Sequence, residues 1–281
     1  IGEGELRGAP ATSLQKMQRA GNPWGLPAQD RLTWADGLDV PTVADNPDFD
    51  VLYWVGCSAA YDRRTMKVAR AVAQLLQRAQ VNFAVLGPEE RCTGESARRM
   101  GDEFLFQELA ATNIETFTKH NVRKIVTHCP HCLNSLRQDY PQFDGHYEVI
   151  HHTQFLGELV AANKLKAAAV MNESVTYHDP CYLARVNGIT EAPRALLPEI
   201  TEMPRHGCQT ACCGAGGGRM WFDDPAEERI GTGRITEALD TGAQTVAVSC
   251  PFCLTMMTDG VAAKNDQVKV RDVSELMLEE D

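Results

Sequence analysis

Along the chain, short apolar runs alternate with longer stretches whose apolar residues recur at helical spacing. The runs cover 51–56, 81–86, 123–127, 147–150, 174–178, 245–249 and 268–270, each of strand length. Between them, 63–80, 97–120, 154–164, 192–197 and 225–241 have helical periodicity. In the first of these, Met66, Val68, Ala71, Leu75 and Leu76 make one buried stripe. Strand and helix in alternation predict an α/β fold with mainly parallel sheets. Residues 1–50 break the pattern at Pro10, Pro23, Pro27, Pro41 and Pro47, and predict an extended arm with one short helix over 12–19.

The pattern occurs twice. Cys92 and Cys129 are separated by 36 residues, as are Cys213 and Cys250. Both halves continue Cys-Pro-x-Cys-Leu, as Cys129-Pro130-His131-Cys132-Leu133 and Cys250-Pro251-Phe252-Cys253-Leu254. A strand precedes each pair, and upstream a single cysteine, Cys57 or Cys181, follows another strand. Internal repetition of this kind predicts duplication. We expect two α/β lobes, 51–150 and 151–281, related by a pseudo-two-fold axis, with the cysteines at strand C-terminal ends, where α/β proteins place ligands.

Composition narrows the chemistry. The 281 residues are 43% hydrophobic and 23% charged, in the range of a soluble globular protein with two domains. A net charge of −11 argues against nucleic acid and anionic membrane surfaces. No stretch approaches the roughly 20 apolar residues that span a bilayer. The chain opens on Ile1 with no basic and apolar leader, and is expected to be part of a longer polypeptide. Its ten cysteines would make five disulfides in a small secreted scaffold, but the length, the core and the paired Cys-x-x-Cys elements favour metal.

Thiolates are soft ligands suited to iron–sulfur clusters and zinc. A Cys-x-x-Cys at a strand-to-helix junction puts two sulfurs on one loop. Pro130 and Pro251 suit a first helical turn, whose free N–H groups face an anionic ligand. Lobe two offers five thiols, Cys181, Cys212, Cys213, Cys250 and Cys253, more than a tetrahedral site uses. Lobe one offers four, Cys57, Cys92, Cys129 and Cys132, with Arg91 standing opposite Cys212. Four thiolates fit a [4Fe–4S] cube or a zinc equally well. The run Gly214-Ala215-Gly216-Gly217-Gly218 fits neither the dinucleotide fingerprint nor the phosphate loop, because Arg219 takes the place of the third glycine and no Gly-Lys-Ser/Thr follows. It reads as close cluster packing, or as a plain turn.

The segment Cys181…Cys212-Cys213-Gly214…Cys250-Pro251-Phe252-Cys253 resembles the cysteine-rich CCG motif of the heterodisulfide reductase B/D-like family. Arg91-Cys92-Thr93-Gly94-Glu95, Phe104-Leu105-Phe106-Gln107 and the run to Trp221 resemble one branch of it. That branch comprises membrane-associated oxidoreductases that pass electrons from electron-transfer flavoprotein to menaquinone. The resemblance implies a noncubane [4Fe–4S] cluster on the five lobe-two cysteines. For lobe one, which departs from the motif at Arg91 and Thr93, it implies a [4Fe–4S] cubane, with zinc second. The implied partners are an electron-donating flavoprotein and ferredoxin-type and haem-bearing membrane modules, either upstream or on another chain. Nucleic acid is not among them. The implied location is the cytoplasmic face of the membrane, reached through those modules. The segment Asn22-Pro23-Trp24-Gly25-Leu26-Pro27 resembles the linker following a ferredoxin module in that branch.

Three functions compete: an electron relay, a disulfide reductase with Cys212 and Cys213 as the catalytic pair beside a substrate cleft, and a zinc-bound structural module. His178-Asp179, His128 and His131 could donate to a cluster sulfur or relay a proton, or be satisfied neighbours of the ligands. Cys208, without a counterpart in lobe one, is expected as a small buried residue. Thr153 is expected to cap a helix after His151-His152, and Glu89-Glu90 and Glu227-Glu228 to be solvated.

Overall fold

The computed structural model describes residues 6–168, 173–197, 199–225, 228–264 and 267–278. Two four-stranded parallel sheets organise them. The first holds β1 (Val51–Trp54), β2 (Phe83–Ala84), β3 (Lys124–Thr127) and β4 (Glu148–His151), in the order β2-β1-β3-β4. The second holds β5 (Val175–Tyr177), β6 (Ile200–Thr201), β7 (Thr245–Val248) and β8 (Lys269–Asp272), in the order β6-β5-β7-β8. The orders match position for position, as do the registers. Tyr53 pairs with Val126 and Tyr177 with Ala247, so Tyr53 corresponds to Tyr177 and Trp54 to His178. The duplicated α/β fold is therefore present. The two-residue β6 carries too short an apolar signal for its sequence to show a strand.

The helices are α1 (Ala9–Ala20), α2 (Gly56–Tyr61), α3 (Arg63–Arg78), α4 (Glu95–Arg99), α5 (Glu103–Lys119), α6 (Pro130–Asn134), α7 (His152–Ala161), α8 (Glu191–Arg194), α9 (Gly231–Asp240), α10 (Pro251–Lys264) and α11 (Val273–Leu278). The expected single helix over 97–120 is two helices. Gly101 turns the chain at φ 91°, and Asp102 starts α5 by accepting from the Leu105 N–H. The stretch 225–241 is α-helical only over Gly231–Asp240, and positions 226–227 lie outside the described residues. The cap of α7 is His151, not Thr153. Its backbone N–H is accepted by Gln154, while Thr153 bonds the His151 ring at 2.8 Å.

Residues 6–50 are not extended. Besides α1 they form a 3₁₀ helix, Ala28–Ala35, and Met17, Arg31 and Trp34 are buried. Trp34 meets Tyr53 of β1 edge-on at 6.1 Å, and Val43 donates to the Val85 carbonyl beside β2. The prolines punctuate this segment without unfolding it, because its large side chains have a surface to dock on.

One apolar core runs through both halves, including Tyr53, Val72, Leu75 and Leu76 from the first and Tyr177, Val248, Met257 and Leu276 from the second. Helix α3 packs on α10 and α11. At its start, Arg64 binds Glu275 bidentately at 2.7 and 2.8 Å and the Val270 carbonyl at 2.7 Å.

Candidate metal centres

The cysteines follow the C-terminal ends of the two inner strands of each sheet: Cys57 after β1, Cys129 after β3, Cys181 after β5 and Cys250 after β7. Pro130 and Pro251 take the first helical positions of α6 and α10, where a missing N–H costs nothing. None of the ten cysteines is in a disulfide.

In lobe two the five expected cysteines come together. Cys181 contacts Cys212, and Cys212 contacts Cys213. Cys213 Sγ lies 3.3 Å from Cys253 Sγ, and Cys253 contacts Cys250. Their protons are shared unequally. Hydrogen bonds from Cys181 and Cys213 pull Cys212 down to about 2. Burial raises Cys250, but bonds from Cys253 and His131 outweigh it and bring the thiol to about 5. Cys181 and Cys213 are pushed up chiefly by hydrogen bonding to Cys212, and Cys253 chiefly by hydrogen bonding to Cys213 and then Cys250. Five thiols this close cannot all ionise without cations among them.

In lobe one Cys57, Cys92, Cys129 and Cys132 line one pocket together with Trp24, Trp221 and Phe252. Arg31, from the arm, puts both terminal guanidinium nitrogens 3.6 Å from Cys57 Sγ and pairs with Glu90 at 2.7 Å. Glu90 also accepts from the Val55 and Gly56 N–H groups at 3.2 and 2.9 Å. Glu90, expected to be solvated, is therefore buried, because a fixed cation and two backbone donors satisfy it. Glu89 is partly exposed and holds Lys119 and His120, Glu228 is exposed, and Glu227 lies outside the described residues. Sequence reasoning missed Arg31, since nothing in the arm's pattern signalled a buried cation.

The two cages correspond one residue differently from the cysteine spacing. Gly94 at φ 81° donates its N–H to Cys92 Sγ at 3.5 Å, and Gly214 at φ 96° donates to Cys212 Sγ at 3.3 Å. Cys92 and Cys212 are half-buried, whereas Thr93 and Cys213 are buried. Cys92 is thus the counterpart of Cys212, and Thr93, not Arg91, stands where lobe two has its fifth thiol. Arg91 instead packs on Gly21 at the end of α1 and donates to the Ala20 carbonyl.

The flanking groups separate by position. His131, on the lobe-one Cys-Pro-x-Cys loop, reaches across to Cys250 of lobe two. Its ring stacks on Tyr182 at 4.1 Å and meets Phe252 at 5.1 Å, with Nδ1 3.3 Å from the Glu95 carboxylate. Burial opposes its charge, but Glu95 and the Cys250 sulfur prevail and push it up to about 10. His128 bonds Tyr53 at 2.8 Å, and burial with the neighbouring His152 pulls it down to about 3. Asp179 accepts two 2.8 Å bonds from Arg194 and one from the Gly207 N–H, which anchors the loop leading to Cys212. Cys208 is exposed, not buried, and lies outside the cage with its Sγ on the Ala184 carbonyl. At Gly218 (φ 78°) a Cβ would lie 2.6 Å from the Met100 side chain, so the glycine run admits the lobe-one helix α4 and its end.

Two ring nitrogens test what the cages suit. His178 Nε2 is buried without a hydrogen-bond partner among the described residues, and the buried Trp54 Nε1 has only the Cys132 sulfur to donate to. Trp54 Nε1 lies beside Cys132 Sγ around Gly56, and a nitrogen of His178 lies within 4.8 Å of the Cys213 and Cys253 sulfurs. Clustered thiols with ring donors beside them fit an anionic cofactor rich in sulfur better than a bare cation.

The cysteine-rich CCG domain model matches residues 51–137 and again 175–258, more than half the chain. The probable iron–sulfur-binding oxidoreductase FadF of Bacillus subtilis is 41% identical over 99% of this chain and 41% of its own length. The EtfAB:quinone oxidoreductase of Syntrophomonas wolfei is 38% identical over 98% of the chain and 41% of its own length. One polypeptide of the dihydromethanophenazine:CoB–CoM heterodisulfide reductase of Methanosarcina barkeri is 35% identical over 92% of the chain and 64% of its own length. The chain thus spans about two-fifths of the first two relatives. No helix among the described residues is long and apolar enough to cross a membrane. Two copies of the motif, each on its own parallel sheet, assign this chain to the CCG cysteine-rich domain family.

Proposed function

We propose that the chain is an iron–sulfur electron-transfer module of an oxidoreductase, built of an arm (1–50) and two cluster-binding lobes (51–150 and 151–281). In this reading Cys181, Cys212, Cys213, Cys250 and Cys253 hold a noncubane [4Fe–4S] cluster, and Cys57, Cys92, Cys129 and Cys132 a [4Fe–4S] cubane, with zinc the second choice for the latter. The observation that carries it is the five-thiol cluster of lobe two, since a structural zinc has no use for a fifth thiolate. The clusters would supply reversible one-electron storage, while the chain's residues set position and potential. Arg31 puts a fixed positive charge on Cys57, and His131 lies between the two sets of thiols. The names of two relatives, the EtfAB:quinone oxidoreductase and a probable membrane-anchored ferredoxin of Chromohalobacter salexigens, support a reduced electron-transfer flavoprotein as donor and ferredoxin-type and quinone-side membrane modules as partners, and a haem-bearing membrane module is part of the same proposal. Those modules would hold the chain at the cytoplasmic face of the membrane.

A second reading, disulfide reduction, draws on an open cleft that reaches Cys213 and Gly214 and is walled by Met220, Phe222 and Ile235. Protein purified without oxygen should be brown and contain iron and acid-labile sulfide. A colourless, zinc-rich product overturns both readings. Reduced electron-transfer flavoprotein should bleach the visible absorption. Reduction only by a thiol–disulfide couple would select the second reading.

A further inference from the structure

We infer that each lobe aims one obligate ring N–H donor from the end of its first strand into its cysteine cage, Trp54 in lobe one and His178 in lobe two, and that Arg234 makes His178 a donor and bars it from being a ligand. The assignment rests on the cluster reading above and goes beyond it, since neither ring is a cysteine or belongs to the repeated motif. Trp54 and His178 occupy one register position: each follows a corresponding tyrosine, Tyr53 or Tyr177, and each comes three residues before its lobe's first cysteine, Cys57 or Cys181. Both rings are fully buried; Trp54 Nε1 has only the Cys132 sulfur to donate to, and His178 Nε2 has no partner among the described residues.

Indole nitrogen can only donate. Imidazole is ambiguous, because a neutral ring has one donor and one acceptor nitrogen, and the sulfurs of Cys213 and Cys253 within 4.8 Å would equally suit a His-Cys-Cys metal site. Arg234 decides between them. Its Nε donates to His178 Nδ1 at 2.8 Å, while its Nη1 is held by the Arg205 carbonyl at 2.6 Å and by Glu237 at 2.9 Å. A guanidinium has no acceptor, so Nδ1 must present its lone pair to it. The ring proton is then on Nε2, the nitrogen left for the cage. A protonated nitrogen has no lone pair for iron, and its N–H suits a thiolate or sulfide. The duplicated fold thus meets one requirement with two chemistries: lobe one with a ring that can only donate, lobe two with a ring made to do so by a neighbour.

Donors to cluster sulfur favour the reduced, more negative state, so their removal lowers the reduction potential. The test compares anaerobic wild-type protein with His178→Phe, His178→Gln, Arg234→Met and Trp54→Phe, using redox titration by electron spin resonance and pulsed nitrogen hyperfine spectroscopy. Wild type should show only weak nitrogen coupling. His178→Phe should retain its iron and sulfide yet shift the lobe-two centre, with the reduced-to-oxidised ratio falling about tenfold at a fixed applied potential. His178→Gln, which restores an N–H, should recover much of that loss. Arg234→Met should lower the lobe-two potential with Cys content and iron intact. Trp54→Phe should shift the lobe-one centre and leave lobe two alone. A directly bonded nitrogen in wild type, or wild-type potentials in both His178→Phe and Trp54→Phe, overturns the assignment. Wild type purified without iron would instead overturn the cluster reading, and this assignment with it.

Discussion

Arg31 and Glu90 are each almost wholly shielded from solvent, at 3% and 2% side-chain exposure, so removing one partner strands the other. Arg31→Met should therefore cost about 3–5 kcal/mol of unfolding free energy in denaturant titration, and adding Glu90→Gln should recover part of it. If the single variant matches wild type, the pair does not hold the arm to lobe one. Tyr53, Tyr140 and Tyr177 give a pH signature. Burial is the leading cause that holds all three phenols well above their ordinary value of 10.0. The folded values are the raised ones, so this stabilisation is complete below about pH 10 and is lost as pH climbs further, where only the unfolded chain ionises. Tyrosinate absorbance from these rings should then rise together with loss of the circular-dichroism signal. Ionisation well ahead of unfolding would contradict the burial.

At the scale of elements, the junctions between strand and helix carry the chemistry. Asp62 starts α3 by accepting from the Arg64 and Thr65 N–H groups at 3.0 and 2.9 Å, and α3 is one of the helices that pack against the second lobe. Asp62→Ala should lower stability by about 1 kcal/mol in thermal or denaturant unfolding while leaving iron content unchanged. Gly56 is different. It holds φ 76°, with Cys132 Sγ 3.5 Å from where a Cβ would be, so Gly56→Ala should reduce the iron bound by lobe one more than by lobe two. These elements also mark what the chain made legible. The repeat of Cys-Pro-x-Cys after a strand exposed the duplication, the parallel sheets and the gathering of the cysteines, because apolar runs and ligand spacing are local signals. Helices α2 and α11 were not legible, being six residues long and too short for a helical period to register, whereas α6 was signalled only by Pro130 at its start. Nor was the correspondence of Thr93 with Cys213, since counting between cysteines cannot see which sulfur a glycine N–H meets. Arg31, Glu90 and Arg234 were hidden for a related reason: charged residues read as solvated until the fold supplies their partners.

At the scale of the molecule, the two halves share a core and cannot be parted cleanly. Tyr53, Leu75 and Leu76 pack in one cluster with Val248, Met257 and Leu276. Either half expressed alone should expose that face and aggregate or bind hydrophobic dyes, while the two halves together should regain the circular dichroism of the intact chain. A half that folds alone as a compact monomer would refute the shared core. His131 crosses the same boundary to Cys250, so the two centres are fixed relative to each other by the packing that joins the lobes.

A molecule made by copying one half begins without a direction, since two equal stations give an electron no reason to prefer either. Thr93, in the place of Cys213, ends that equality: a hydroxyl replaces a sulfur, and one cage carries one fewer negative charge than its twin when its ligands are ionised. If each cage holds a cluster as proposed, that difference in charge, together with the Arg31 guanidinium on Cys57, is what would set the two centres at different potentials.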